Sequence, residues 1–244
     1  MNNIVEIAAV LIVPLLLALF AYKKNLMTSH ASVLAYVLSL IIGFCTNIWW
    51  VLAFFTFPIV AFIATKWRLK EKVERGFQEG KKGERHVMNI LGVGIIPTAV
   101  ALAYAVTGEN SSYLAVAFLS ALAVSTADTV ASETGIWAKK TYMITTLKEI
   151  EPGPNGGVSV YGTVTSAIGA LLFAAIGWGL VFGYDLDLSS LKFLIVVVAG
   201  MFGNIMDSVL GATLENPGYI GKYFNNACTS LIGAIVGFLL CMAF

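Results

Sequence analysis

Apolar residues in this chain gather into long continuous runs, separated by short polar stretches, with neither the strict alternation of strands nor a single helical stripe. Runs at 4–22, 31–46, 49–65, 87–107, 113–126, 163–183, 191–206 and 228–244 each read as a membrane-crossing helix, because about 20 apolar residues cover the hydrocarbon core of a bilayer. The second and third are short and share one apolar stretch, broken only near Asn47. Several runs fall below full length, so some helices are expected to tilt or to continue into the polar loops. The pattern predicts an all-α fold: a polytopic transmembrane helix bundle of about eight spans, forming a single integral membrane domain over residues 1–244. Within it, 66–86 is expected to be a basic loop, and 127–162 and 207–227 are expected to be loops carrying polar chemistry.

Composition agrees with this pattern. Of 244 residues, 58% are hydrophobic and 12% charged, about half the charged fraction of a soluble domain, and the mean hydropathy is +0.84. The N-terminal M-N-N-I-V-E-I has no basic lead and no small-residue cleavage site follows it, so the first run is expected to be a retained helix. The net charge of +1 names no partner and gives no reason to expect nucleic acid; oligomerisation is left open. Cys45, Cys228 and Cys241 lie in or beside apolar runs without metal-ligand spacing, and read as small apolar residues.

The distribution of charge says more than its sum. Eight spans place every Lys and Arg except Lys192 on one side, and Glu6, Glu109, Asp185 and Asp187 on the other. The positive-inside rule makes the basic side cytoplasmic and puts both termini on the non-cytoplasmic side. The polar motifs then all fall at cytoplasmic ends of spans, where soluble nucleotides and metal ions can reach them.

The first motif is A-D-T-V-A-S-E-T-G, with Asp128 and Glu133. The two are about 140° apart on an ideal helix, so they share a face only if the helix bends or ends. The second is G-M-F-G-N-I-M-D-S-V-L-G-A-T-L-E, in which Gly200, Gly203, Asp207 and Gly211 recur at helical spacing. Such a glycine stripe admits a close neighbour, but packing does not require an Asp within it. Carboxylates near lipid are costly unless a cation or donor answers them, and usually mark a functional site. The third motif, E-P-G-P-N-G-G-V-S, sets Asn155, Gly156, Gly157 and Ser159 before a span; its backbone N–H groups can form a phosphate-binding concavity, although a plain turn fits equally. K-Y-F-N-N-A brings Lys222, Asn225 and Asn226 to the start of the last run, where an Asn also serves simply as a helix cap. The 66–86 segment reads as a solvated helix, with Arg85 and Asn89 four apart where it meets the membrane, so that Arg85 can contact a phosphate at the bilayer surface.

Acids, a glycine loop, and Lys, Arg and Asn on one membrane face suit phosphate chemistry with Mg²⁺, which carboxylates hold while it bridges phosphate oxygens. No Gly-Lys-Ser/Thr of a Walker loop occurs, nor the Asp-Asp-x-x-Asp of prenyl transferases, nor the Asp-rich pattern of CDP-alcohol phosphotransferases.

Taken in order, A-D-T-V-A-S-E-T-G, P-N-G-G-V-S-V-Y-G-T and M-D-S-V-L-G-A-T-L-E resemble the signature segments of the membrane family that contains the plant phytyl-phosphate kinase of tocopherol synthesis and transmembrane protein 19. The resemblance runs from about Arg85 to the C-terminus. It implies a membrane-bound isoprenyl-phosphate kinase, in which a nucleoside triphosphate such as CTP phosphorylates a prenyl monophosphate (phytyl or geranylgeranyl phosphate) to the diphosphate. Under this resemblance Asp128, Glu133 and Asp207 match the acidic positions and would bind Mg²⁺. Asn155, Gly156, Gly157 and Ser159 match the glycine loop, and Asn225 or Asn226 the asparagine before the last span. Asn89 is kept, but Val93 stands where the family pattern has a second Asn, and Glu215 stands where many members carry Gln. Both differences bear on nucleotide or substrate preference. Two other readings remain open at this point: a polyprenol kinase or lipid cytidylyltransferase with similar ions, and an ion-coupled transporter using Asp128 and Asp207 as a relay.

Overall fold

The computed structural model describes residues 4–77, 84–107, 112–183 and 189–244. Lys81 and Lys82 of the basic segment, and Glu109, Asp185 and Asp187 of the acidic side, lie outside the described residues. The chain forms α1 (Ile4–Lys23), α2 (Ser29–Cys45), α3 (Ile48–Lys66), the short α4 (Leu69–Glu74), α5 (Val87–Thr107) and α6 (Ser112–Gly135). A three-stranded antiparallel sheet follows, built of β1 (Thr141–Met143), β2 (Glu149–Ile150) and β3 (Gly157–Val158) in the order β2-β1-β3. Then come α7 (Val160–Phe182), α8 (Ser189–Leu210), a π-helical turn (Gly211–Glu215) and α9 (Lys222–Ala243). This is an all-α polytopic bundle, with the small sheet confined to one loop region.

Each predicted apolar run is a helix, and most extend beyond it into polar sequence. The run at 113–126 grows most, because α6 continues unbroken through Asp128 and Glu133 to Gly135. Among the described residues seven helices are long and apolar enough to cross a membrane; α2, at 17 residues, is shorter. It covers roughly 26 Å against a hydrocarbon core of roughly 30 Å. Asn47 ends the α2–α3 connection abruptly: its side chain accepts hydrogen bonds from the N–H groups of Trp49 and Trp50, capping α3.

Hydrogen bonds collect the polar loops on one face. The N–H of Thr28 donates to the carbonyl of Arg85 at 3.0 Å, and that of Arg85 to Leu26 at 2.9 Å, joining the α1–α2 loop to the entrance of α5. Thr65 and Lys72 reach Glu133 of α6, and Asn155 reaches Glu215. The ends of α1, α3, α6 and α8 and the starts of α2, α5, α7 and α9 therefore share this face. It follows that α2 runs across the bundle despite its length, and that Ile4 and Phe244 lie at the opposite face.

The bundle is organised around α6, which is buried continuously from Ala115 to Ala127. Its Ala- and Ser-rich surface lets neighbours approach closely, the usual solution where lipid offers no hydrophobic drive between helices. Gly203 of α8 packs against Val124 with no room for a β-carbon, so the glycine stripe brings Asp207 in next to α6. The outer surface is apolar, as a lipid-facing surface must be: Val164, Ile168, Leu171, Leu172 and Ile176 of α7 are all exposed.

Candidate active site

Asp128 enters from α6 and Asp207 from α8, and their carboxyl groups lie close enough to interact directly. Two ionised carboxylates this close repel one another, so the pair favours a shared proton or a cation between them. Asn225 of α9, 1% exposed, donates from Nδ2 to Asp207 Oδ1 at 3.0 Å and to Glu215 Oε2 at 3.2 Å. Its own Oδ1 is buried without a hydrogen-bond partner. Thr229 Oγ1 lies 3.5 Å from Asp207 Oδ1.

The glycine loop closes the other wall. Gly156 has φ +82°, and a β-carbon there would meet Ala212 Cβ at 2.5 Å and the Ser208 carbonyl at 2.9 Å. Both conformation and space demand glycine. The π-helical turn grips this loop: Asn155 Nδ2 donates to Glu215 Oε1 at 2.8 Å, and Asn216 Nδ2 donates to the Asn155 carbonyl at 2.9 Å. From the other side the Ile144 N–H bonds the Gly156 carbonyl at 2.9 Å, just beyond the β1–β3 pairing. Ser159 caps α7 by accepting from the Gly162 N–H at 3.0 Å. Between loop and carboxyls lies a cleft of about 140 Å³, whose lining includes Asp128, Asp207, Gly156, Ser159, Lys222 and Asn226.

Glu133 faces elsewhere. Its Oε1 accepts from Thr65 Oγ1 at 2.6 Å and its Oε2 from Lys72 Nζ at 2.7 Å. Lys72 is 1% exposed and also donates to the Ala64 carbonyl at 2.9 Å, at the C-terminal end of α3, where a cation suits the helix dipole. Arg85, half-buried, feels the charges of both Glu133 and Asp128; burial lowers the pKa of its guanidinium and these carboxylates oppose the shift. Arg85 and Asn89 line a second, largely apolar cavity of about 380 Å³ beside the cleft, and Asn226 lines both.

Comparison with known proteins fits this architecture. The pattern of the family described as integral membrane protein DUF92 matches residues 12–238. The chain belongs to that family. An uncharacterized membrane protein of Methanocaldococcus jannaschii is 26% identical over 242 residues, covering 98% of this chain and 96% of that one. One from Synechocystis is 32% identical over 235 residues, covering 94% and 89%. The chloroplastic protein VTE6 of Arabidopsis thaliana is 28% identical over 192 residues, covering 75% of this chain and 55% of that protein. No solved structure matches. The DUF92 family is the one its three motifs resemble.

Within this DUF92 fold the expected residues divide. Asp128, Asp207, Asn155, Gly156, Gly157, Ser159, Lys222 and Asn226 surround one cleft, and Asn225 braces it from behind. Arg85 and Asn89 belong to the neighbouring cavity. Glu133 is not brought to the carboxyl pair, because α6 runs straight through the motif and turns it towards α3. Positive φ in the glycine loop falls on Gly153 and Gly156, not on Asn155 or Gly157. The solvated-helix expectation for 66–86 holds poorly at α4, which is only six residues long and buries Lys72. Sequence reasoning missed Lys72 because it lies in a run of exposed-looking charges. The site role of Glu215 was visible only as an acid at the end of the second motif.

Among the described residues no group of three or more His, Cys, Asp and Glu side chains is arranged to hold a metal ion. A closed protein cage for a metal is therefore missing from that set. A pair of carboxyls is nevertheless what Mg²⁺ commonly takes when it arrives with phosphate oxygens and keeps its waters. The carboxyl oxygens of Asp128 and Asp207, and the unpartnered Asn225 oxygen beside them, fit such an ion.

Proposed function

We propose that this protein is a membrane-bound prenyl-phosphate kinase, transferring a phosphoryl group from a nucleoside triphosphate, CTP among the candidates, to an isoprenyl monophosphate such as phytyl or geranylgeranyl phosphate. The observation that carries this reading is the Asp128–Asp207 carboxyl pair facing the glycine loop in one cleft at the end of an apolar bundle. The family membership supports it. With the basic face taken as cytoplasmic, the cleft opens to soluble nucleotide and both chain ends lie outside.

In this reading Asp128 and Asp207 would hold Mg²⁺, which would supply charge neutralisation to the triphosphate. The loop containing Gly156 and Gly157 lies along the phosphates, and Lys222 answers their remaining charge. An oxygen of the acceptor phosphate forms a bond to the γ-phosphorus while the bond to the bridging oxygen breaks, its electron pair leaving with the nucleoside diphosphate. The acceptor is already ionised near neutral pH, so no general base is needed, and positioning with charge stabilisation carries the catalysis. Glu133 acts at a distance, by fixing α6 against α3.

The test is product analysis. Purified protein with geranylgeranyl or phytyl phosphate, Mg²⁺ and each of CTP, UTP, GTP and ATP should yield the prenyl diphosphate and a nucleoside diphosphate. Pyrophosphate with a CDP-lipid would identify a cytidylyltransferase instead, and phosphorylation of a free prenol a polyprenol kinase. Ion flux in liposomes without nucleotide turnover would make the protein a transporter.

A further inference from the structure

We propose that the cavity bounded by α1, α3 and α5 is the seat of the acceptor's isoprenyl chain, with Arg85, Asn89 and Asn226 at the end that takes its phosphate. This rests on the kinase reading and specifies where the lipid lies.

The cavity has one polar end and an apolar body. Lys24 and Arg85 lie just outside α1 and α5, and Thr65, Asn89, Thr129 and Asn226 fall within about two turns of their helix ends at the polar face. Deeper in, the walls are aromatic and aliphatic, with Leu17, Phe55, Phe57, Pro58, Ala61 and Val93. The charged residues among the described lining, Lys24 and Arg85, are both cationic. An anionic head with an apolar tail complements this arrangement end for end; a soluble nucleotide does not.

Position decides which tail-bearing anion. Asn226 lines both this cavity and the cleft of Asp128 and Asp207, so a phosphate at the polar end stands next to the triphosphate site. Entry from the bilayer is available, because Phe20, Ile59 and Ile63 line the cavity and keep 55%, 54% and 64% of their surface accessible. Depth limits the occupant. From Thr65 to Phe55 the wall of α3 spans ten residues, about 15 Å, or half the hydrocarbon core. A geranylgeranyl or phytyl chain is somewhat longer than this depth when fully extended, so it is held with a bend or with its tip at the bilayer opening, whereas a dolichol-length polyprenol must leave the protein for most of its length. The cavity thus favours the short-chain acceptor over the polyprenol one.

Two measurements test this. In nanodiscs, a prenyl monophosphate carrying a diazirine at the far end of its chain should label peptides containing residues 16–21 of α1 and 55–63 of α3. Unlabelled geranylgeranyl phosphate should suppress the labelling, and the uncharged prenol should suppress it far less. Labelling confined to α7, α8 or α9 would overturn the proposal. Turnover without cavity labelling would leave the kinase reading standing and remove the seat. Cavity labelling without turnover by any nucleotide would keep the seat and remove the kinase reading. Separately, Ala61→Phe narrows the cavity and should lower kcat/KM for geranylgeranyl phosphate by about tenfold or more, with geranyl phosphate and the KM for nucleotide little changed. An equal loss for both chain lengths, or none, would count against it. The labelling experiment uses the unaltered protein and so stands even if that variant fails to fold.

Discussion

Lys72 and Glu133 form a buried ion pair, with Thr65 and two α3 carbonyls completing its hydrogen bonds. Breaking such a pair on one side leaves an uncompensated charge, which is far more costly than removing both charges. Lys72→Met is therefore expected to destabilise the protein by about 3 kcal/mol, seen as a lowered Tm in detergent, and adding Glu133→Gln should recover much of the loss. A double variant as unstable as the single one would show that the carboxylate is not what Lys72 answers. Asp128 and Asp207 are different in kind, since their neighbours in the cleft leave room for a ligand. Asp128→Asn and Asp207→Asn are each expected to lower kcat by about 10²-fold or more at nearly unchanged Tm, whereas Glu133→Gln should cost less activity. Full activity in either Asp variant would sink the metal assignment.

At the scale of elements, the glycine loop and the π-helical turn act as one unit. Gly156 sits under Ala212 with a positive φ, while Asn155 and Asn216 tie the loop to the turn. A π-helical insertion of this kind is frequent at functional sites because it redirects side chains out of the regular helical order. Here it turns Glu215 towards Asn155 and Asn225. Gly156→Ala adds a contact at 2.5 Å to about 1–3 kcal/mol of backbone strain. Nucleotide binding, followed by titration calorimetry, is expected to weaken at least tenfold, more than prenyl-phosphate binding. Equal weakening of both ligands would mean that the loop serves the whole cleft and not the nucleotide in particular.

For the whole molecule, the polar loops share one face and the two described ends share the other. The proposed orientation in the bilayer rests on charge: Lys192, bonded to Ser112, is the sole Lys or Arg placed at the far face by the eight-traverse path. With Cys45, Cys228 and Cys241 replaced by alanine, Phe244→Cys should react with an impermeant maleimide in intact cells, and Lys148→Cys, on an exposed part of the site face, only after the cells are opened. The reverse result would invert the orientation. Reaction of both in intact cells would break the eight-traverse path, with α2 the element to doubt because it is the short one.

The sequence by itself determined the membrane bundle, because backbone polar groups in lipid leave little choice but helix over each apolar run. It also marked Asp128, Asp207 and the glycine loop, since each is an unusual residue for its surroundings. It placed Glu133 on a different face from Asp128 unless the helix broke. Only the tertiary structure decided that the helix does not break, and that Glu133 answers Lys72, 61 residues away along the chain. Packing likewise decided that Arg85 and Asn89, four apart at the membrane surface, line the polar end of an apolar cavity. Spacing along one helix fixes direction about its own axis, but which neighbour lies in that direction depends on how separate helices pack, and no local pattern carries that.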